Sequence, residues 1–358
     1  MASASSPLTT AQLRAAIAPL PRFPLGHFPT PLEYCERFSK TLGGPDIYLK
    51  RDDCTGLAMG GNKTRHNEFL IADALQQGAD IIVWGAGIQS NNCRQTAAAC
   101  AKAGLDIHLV LGRGSPPDGP DPIQGNLLLD HLVGAHVDIV EEKIGVDLDD
   151  RIAQEAAQHA AQGRKVYSWD RHKVKPLAAV SYALCVAEIV EQSRAAGFEP
   201  DALYVSSAGS TGAGVVMGHK ALGMRCPVLS VAPINWPWDT QADMAHIADE
   251  AGKLCGLELG ITRDDVAVTM DYIGPDYGEC SAGGLEAIAL LARTEGVLLD
   301  PYYGGKAMAA LIDAIRTGRR RPGEKVVFIH TGGTPALFAA NDELAAKIAP
   351  RRLTSPRR

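Results

Sequence analysis

The stretch Leu203-Tyr204-Val205-Ser206-Ser207-Ala208-Gly209-Ser210-Thr211-Gly212-Ala213-Gly214 decides how this chain reads. Leu203 to Val205 is a short aliphatic run of the kind that forms a buried strand, and the residues from Val215 to Leu222 have helical character. Between them, closely spaced glycines let backbone N–H groups converge, Ser210 and Thr211 add hydroxyls, and the start of the next helix supplies a favourable dipole for an anion. The loop is neither a Walker A sequence, since no lysine follows the glycines, nor the dinucleotide fingerprint, whose glycine spacing differs. Taken alone, it reads equally well as a phosphate cradle or as a glycine-rich turn without a ligand.

The same alternation extends in both directions. Apolar runs at Ile47–Leu49, Ile81–Trp84, Ile107–Leu111, Val137–Val140, Val166–Tyr167, Val228–Val231 and Val326–Ile329 predict further strands. The Ala/Leu-rich segments Asn91–Ala103, Ala153–Ala161, Ala178–Ser193 and Gly284–Thr294 predict helices between them. Strands alternating with helices imply parallel sheets covered by helices. Residues 62–171 carry their own series, interrupted by the Pro/Gly-rich segment 112–122, and are expected to form a small domain inserted into a larger one made of 1–61 and 172–358.

The chain has 358 residues, 46 % hydrophobic and 21 % charged, with no apolar run long enough to span a membrane. Its 41 acidic and 35 basic residues leave a formal charge of −6, which gives no electrostatic reason to bind nucleic acid or an anionic membrane. The 8 cysteines show neither Cys-x-x-Cys pairs nor zinc-type spacing, so free thiols are expected and no metal site. Met1 to Pro7 lacks a secretory pattern, which points to the cytoplasm, and the arginines at 351, 352, 357 and 358 read as a solvated basic end. The 37 glycines cluster where apolar segments end, the placement expected of loops lining a ligand cleft.

Three more stretches carry chemistry. In Gly60-Gly61-Asn62-Lys63-Thr64-Arg65 a lysine sits where a helix begins, and burial beside another cation would depress its pKa toward the range a Schiff-base lysine needs. The hexapeptide also suits an ordinary surface lysine beside a glycine turn. Gln89-Ser90-Asn91-Asn92 follows a strand and precedes a helix. Ser90 is a natural N-cap there, and the polar run with its free N–H groups would also hold a carboxylate. Tyr277 and Tyr303 stand in glycine-containing turns, where a phenol can pack or act as an acid or base. Together, a glycine-flanked lysine, a polar helix start and a phosphate cradle, each at a strand end, are what pyridoxal 5′-phosphate requires.

At this point the chain resembles the fold-type II, tryptophan synthase β-like pyridoxal-phosphate enzymes, and among them the 1-aminocyclopropane-1-carboxylate deaminase/D-cysteine desulfhydrase family. The resemblance runs in order through Phe28-Pro29-Thr30-Pro31-Leu32, Leu49 to Asp53, Gly60 to Lys63, Gln89 to Asn91, Arg94-Gln95, Gly209 to Thr211, Asp300-Pro301, Tyr303 and His330 to Gly333. It implies two parallel-sheet α/β domains with the active site in the cleft between them. Lys63 would be the Schiff-base lysine and the proton carrier at the substrate α-carbon. Ser90 would sit beside the substrate carboxylate, with Gln89 and Asn92, as a catalytic acid/base group, and Asn91 would meet the cofactor's phenolic oxygen. Ala208, Gly209, Ser210, Thr211 and Gly212 would wrap the phosphate, and Tyr277 and Tyr303 would place substrate and handle protons.

The implied reaction is β-elimination with deamination of a small β-substituted amino acid, of the D-cysteine desulfhydrase type, yielding pyruvate and ammonia. The implied assembly is a homodimer. Three positions depart from the family pattern. Gly304 stands where the cyclopropane-opening enzymes carry Glu and the desulfhydrases Thr, so Thr331 or Thr334 would have to partner the pyridine nitrogen. Asn92 replaces Gln or His. The segment Ser168 to Pro176 brings in Arg171, His172, Lys173 and Lys175, either as a solvated loop or as a wall favouring an anionic β-substituent such as that of L-cysteate. The other readings are a 1-aminocyclopropane-1-carboxylate deaminase, a racemase or dehydratase, and a binding protein without turnover.

Overall fold

The computed structural model describes residues 6–113, 122–340 and 344–345. Most of the Pro/Gly-rich segment 112–122, the first five residues and the C-terminal arginines lie outside the described residues. The strands are β1 (Leu32–Tyr34), β2 (Asp46–Arg51), β3 (Ile81–Gly87), β4 (Asp106–Gly112), β5 (His136–Val140), β6 (Val166–Ser168), β7 (Ala202–Ser206), β8 (Val228–Val231), β9 (Ala267–Thr269) and β10 (Lys325–His330). They form a six-stranded sheet in the order β1-β2-β10-β7-β8-β9 and a four-stranded sheet in the order β5-β4-β3-β6. Every strand expected from the sequence is present. The two that were not expected, β1 and β9, are three-residue strands at the edges of the larger sheet. β1 runs antiparallel to β2, so that sheet is mixed rather than wholly parallel.

The helices are α1 (Thr10–Ile17), α2 (Glu36–Leu42), α3 (Lys63–Gln76), α4 (Asn91–Ala103), α5 (Gly125–Leu132), α6 (Val146–Ala161), α7 (Arg171–Ala195), α8 (Ser210–Ala221), α9 (Thr240–Leu254), α10 (Ala282–Glu295) and α11 (Gly304–Arg316). No helix among the described residues is long and apolar enough to cross a membrane. β10 shows why the strands read as unbroken apolar runs. Val326 and Phe328 pack with Met308 and Leu311 of α11, while Val327 and Ile329 pack with Tyr182 and Val186 of α7. In the smaller sheet, α3 and α4 cover the face carrying Ile82 and Trp84, and α6 covers the face carrying Val83 and Val110.

All strands of the smaller sheet fall between residues 81 and 168, and the larger sheet is built from strands before and after them. We propose the division into 1–61 with 172–358 and 62–171 as the domain organisation. The helix α3 at its border packs against both α4 and α7. The glycines serve more purposes than lining a cleft. Gly43, Gly104 and Gly296 end helices in the left-handed conformation. Gly214 allows close helix packing, since a Cβ there would lie 2.0 Å from the Ala179 carbonyl oxygen on α7.

A buried ionic cluster ties the entry of α3 to the larger sheet. Arg65 bonds both carboxylate oxygens of Asp52 (2.7 and 2.9 Å), both of Glu188 on α7 (2.8 and 2.7 Å) and the Thr30 hydroxyl. Lys50 meets Glu188 at 2.6 Å, and the Tyr182 hydroxyl donates to Asp52 at 2.6 Å. Burial works to raise the Asp52 pKa, but Arg65 and Lys50 outweigh it and hold the carboxyl below its ordinary value. Two cations and two carboxylates balance, so removing one cation strands a buried negative charge. We expect Arg65→Met to lose about 3–5 kcal/mol of stability, read as a lowered urea midpoint. A midpoint within error of the parent would show that the cluster does not fasten α3.

Candidate active site

The turn before Lys63 needs glycine twice. Gly60 has φ +70° and a Cβ would lie 2.0 Å from the Asp53 carbonyl oxygen, while Gly61 has φ +126° and a Cβ would lie 2.6 Å from Gln95 Nε2. Ala58 and Met59, immediately before, also take positive φ despite having side chains. The first turn of α4 grips this segment. Gln95 Oε1 accepts from the Thr64 N–H at 2.8 Å, Gln95 Nε2 donates to the Asn91 carbonyl at 3.1 Å, and Arg94 Nη2 donates to the Gly60 carbonyl at 2.7 Å. From the larger sheet, the Thr331 carbonyl accepts from the Asn62 N–H at 3.0 Å, and Asn62 Nδ2 donates to Thr211 Oγ1 at 2.9 Å. Lys63 is therefore held between strand ends of both sheets.

A cavity of about 210 Å³ opens there. Lys63, Ser90, Asn91 and Asn92 line it from the smaller-sheet side, Ala208, Gly209, Ser210, Thr211 and Thr331 from the ends of β7 and β10, and Tyr277, Tyr303 and Arg171 complete the wall. Two expected residues do not line it. Gln89 is turned to α5, accepting from the Asn126 N–H at 2.9 Å and donating to the Gln124 carbonyl at 3.1 Å. Gly212 lies inside α8, and its N–H donates to Ser207 Oγ at 2.8 Å, as the Gly209 N–H does at 3.2 Å. The N–H groups of Ser210 and Thr211, in the first turn of α8, have no hydrogen-bond partner among the described residues, nor has that of Ala208, and all three are donors the cradle has to offer.

Burial, and secondarily the charge of Lys175, pushes the Lys63 pKa down to about 8. Its amine is thus far more available near neutrality than an exposed lysine would be. Asn91 is oriented by its neighbours. Its Oδ1 accepts from Arg94 Nη1 (3.2 Å) and Asn126 Nδ2 (3.0 Å), which leaves the amide N–H₂ as the group it presents to a ligand. Ser90 does both things its position allows, since its Oγ caps α4 by accepting from the N–H groups of Asn92 and Cys93 (3.1 and 3.2 Å) while the residue lines the cavity. Asp300 accepts from the backbone N–H groups of 302, 303 and 304, fixing the turn that carries Tyr303, and burial pushes its own pKa up to about 6. The Tyr277 and Tyr303 hydroxyls are 2.5 Å apart, and burial raises both phenol pKa values, so the pair is protonated at neutral pH.

The cationic segment is not a loop. Asp170 caps α7, accepting from the His172 N–H at 3.0 Å, and the segment forms that helix's first turns. Arg171 and Lys175 line the cavity, whereas His172 and Lys173 are exposed, Lys173 facing Asp73 and the Tyr167 ring. Both inward cations already have carboxylate partners. Arg171 pairs with Asp149 of α6 at 2.7 Å and lies over the Trp238 ring, and Lys175 pairs with Asp243 of α9 at 3.0 Å. Arg171 Nε, which is fully buried, has no hydrogen-bond partner among the described residues. The roles of Asn62, Gln95, Arg94, Asn126 and Asp149 were not assigned from sequence. A signal for two of them existed, because Arg94 and Gln95 stand three and four residues after Asn91, on its face of a helix.

The donors suit pyridoxal 5′-phosphate: unpaired N–H groups for a phosphate, an amide N–H₂ for a phenolic oxygen, and an amine of lowered pKa for an aldehyde. Comparison with known proteins agrees. Residues 24–332 match the family model described as pyridoxal-phosphate dependent enzyme. The 1-aminocyclopropane-1-carboxylate deaminase of Burkholderia cenocepacia (strain HI2424) is 41 % identical over 332 residues, covering 90 % of this chain and 96 % of that protein. That of Burkholderia vietnamiensis (strain G4 / LMG 22486) is 41 % identical over 330 residues, covering 89 % and 96 %. A crystal structure described as an ACC deaminase homologue superposes with a TM-score of 0.84 at 32 % identity, covering 93 % of this chain and 98 % of that one. Threonine deaminase isoform 2 from Solanum lycopersicum, at 16 % identity and a TM-score of 0.64 over 95 % of this chain and 88 % of that one, shares the fold. With the family match spanning both sheets and the lysine turn between them, this chain belongs to the fold-type II pyridoxal-phosphate dependent enzymes, in the branch that includes the 1-aminocyclopropane-1-carboxylate deaminases.

Proposed function

We propose that this enzyme is a deaminating lyase that eliminates the β-substituent of a small amino acid such as D-cysteine, releasing pyruvate and ammonia. The observation that carries this reading is the pair of protonated phenols in the cavity that Lys63 lines, together with the absence of a side chain at position 304. Bound at this site, pyridoxal 5′-phosphate supplies the electron sink for the charge left at the substrate α-carbon. Lys63 Nζ accepts the α-proton. The Ser90 hydroxyl proton and the Asn91 N–H, which the cap on the next two N–H groups leaves over, hold the substrate carboxylate. The phenol pair donates a proton to the departing β-substituent, and its 2.5 Å hydrogen bond lets the second hydroxyl stabilise the first as that proton leaves.

At position 304 a Cβ would lie 3.0 Å from Asp300 Oδ1 and 3.2 Å from Leu299 Cδ2. The carboxylate that the resemblance assigns to cyclopropane opening therefore has no counterpart there, which favours β-elimination over ring opening. Thr331, buried and lining the cavity, is the hydroxyl we assign to the pyridine nitrogen. A second reading, a substrate with an anionic β-substituent such as L-cysteate, rests on the presence of Arg171 and Lys175 in the cavity lining and is weakened because Asp149 and Asp243 already match their charges. The homodimeric state and cytoplasmic location are our inference from the resemblance and from eight free thiols.

The substrate reading is tested by assaying pyruvate, 2-oxobutanoate and ammonia from D-cysteine, L-cysteine, L-cysteate, D-serine and 1-aminocyclopropane-1-carboxylate. Preference for D-cysteine supports it, and 2-oxobutanoate from the cyclopropane substrate as the main activity overturns it. Tyr303→Phe should lower kcat on the preferred substrate by ~100-fold or more while the cofactor's visible band persists. The Lys63 amine must be unprotonated to capture the aldehyde, so the rate at which stripped enzyme regains that band should rise with pH around a midpoint near 8. In Lys175→Met the midpoint should move upward, and in Lys63→Ala no borohydride-sensitive band should form. A midpoint unmoved by Lys175→Met would remove Lys175 from the account.

A further inference from the structure

Away from the cavity, on the face of the smaller sheet that α6 covers, β4 and β5 pair in a register that sets His108 directly beside His136. Asp138, two residues further along β5, points to the same face by the period of the strand. The two imidazole rings are 4.4 Å apart between centroids, His108 Nε2 lies 3.0 Å from Asp138 Oδ2, and His136 Nε2 lies 3.7 Å from Asp138 Oδ1. One donor atom from each of the three lies within 4.8 Å of the others. Among the described residues this is the one group of three His, Cys, Asp or Glu side chains close enough to share an ion. Behind it, His108 Nδ1 meets Nε2 of His159 on α6 at 2.9 Å.

We propose that His108 Nε2, His136 Nε2 and the Asp138 carboxylate bind one divalent transition-metal ion of the zinc class, with His159 as a positioning residue. Tetrahedral ligands at about 2.0–2.2 Å from zinc stand roughly 3.3–3.6 Å from one another, and the 3.0 and 3.7 Å separations bracket that span. The buried His108 provides a fixed ligand, and His136 and Asp138, which reach solvent, can close the remaining gap. Two imidazoles with one carboxylate select zinc, cobalt or nickel over magnesium and calcium, which prefer oxygen ligands. Metal binding requires the lone pair of His108 Nε2. The His108 proton then resides on Nδ1 and is donated to His159 Nε2, whose own proton sits on Nδ1, so both rings change tautomer and neither gains nor loses charge. This outer hydrogen bond orients the ligand ring. The fourth position is left to water.

The site joins β4 to β5 and, through His159, to the C-terminal half of α6, whose first turn carries Leu148 and Asp149 into the catalytic cavity. Tag-free holoenzyme titrated with cobalt(II) should show saturable visible d–d bands at one ion per chain, displaced by zinc. His136→Ala and Asp138→Asn should each weaken binding by at least tenfold with the cofactor band unchanged. His159→Leu should weaken it as well, and His159→Gln, which restores an acceptor, should recover affinity, an outcome a purely packing role would not give. Affinity unchanged in His136→Ala, a sulfur-to-cobalt charge-transfer band from a thiolate such as the exposed Cys54, or no saturable binding up to millimolar metal would each overturn the proposal.

Discussion

Everything at the candidate active-site cavity depends on where α3 begins, and a buried guanidinium sets that point. Arg65 stands two residues after Lys63 and bonds the end of β2 through Asp52, α7 through Glu188 and the N-terminal segment through Thr30. A fork with several donors and a permanent charge can hold two carboxylates at once, which a lysine cannot do. With Arg65 locked, the preceding turn has little freedom. Its glycines let Gln95, and the Asp53 backbone, approach more closely than any Cβ permits. The lysine we propose as the Schiff-base residue thus lines the cavity from a rigid mount, its helix fastened to two sheets.

Burial is used differently at the other groups of the site. It lowers the Lys63 pKa, raises those of Tyr277 and Tyr303, and so increases the unprotonated fraction of the amine while keeping the phenols protonated. These are opposite charge types answering the same low dielectric, since desolvation disfavours the ammonium and the phenolate alike. On the facing wall, the attraction between opposite charges dominates instead. Arg171 and Lys175 each meet a carboxylate, which makes that wall close to neutral, and the buried Arg171 Nε has no partner among the described residues.

Much of this was legible in the order of the residues. The strands announce themselves because both faces of a parallel strand are buried, so β10 is apolar at consecutive positions and not merely at alternate ones. The helix starts at Ser90 and Ser210 announce themselves because capping and glycine chemistry are local. Edge strands β1 and β9 gave no such signal, being only three residues long and partly exposed. The glycine run 209–214 was legible as a strand-to-helix junction but not as two separate jobs. Gly209 faces the cavity, and Gly214 serves the packing of α8 on α7. That distinction depends on which helix lies behind.

The sequence by itself determined the α/β class and the strand ends at which chemistry could occur, which follow from periodicity and from turn chemistry within a few residues. Lys63, Ser90, Ser210, Thr211 and the two tyrosines, the carriers we propose, came from the family resemblance that those motifs compose together. Tertiary structure alone decided which donors are free. Ser207 takes the N–H groups of Gly209 and Gly212, Asn126 takes Gln89 away from the cavity, and Asp149 and Asp243 neutralise the inward cations. The register of β4 on β5 likewise sets His108 against His136, 28 residues apart in sequence. Hydrogen bonds and ion pairs are satisfied by whichever partner packing delivers. No local pattern specifies a partner that distant, and so the final inventory of unpaired groups belongs to the fold.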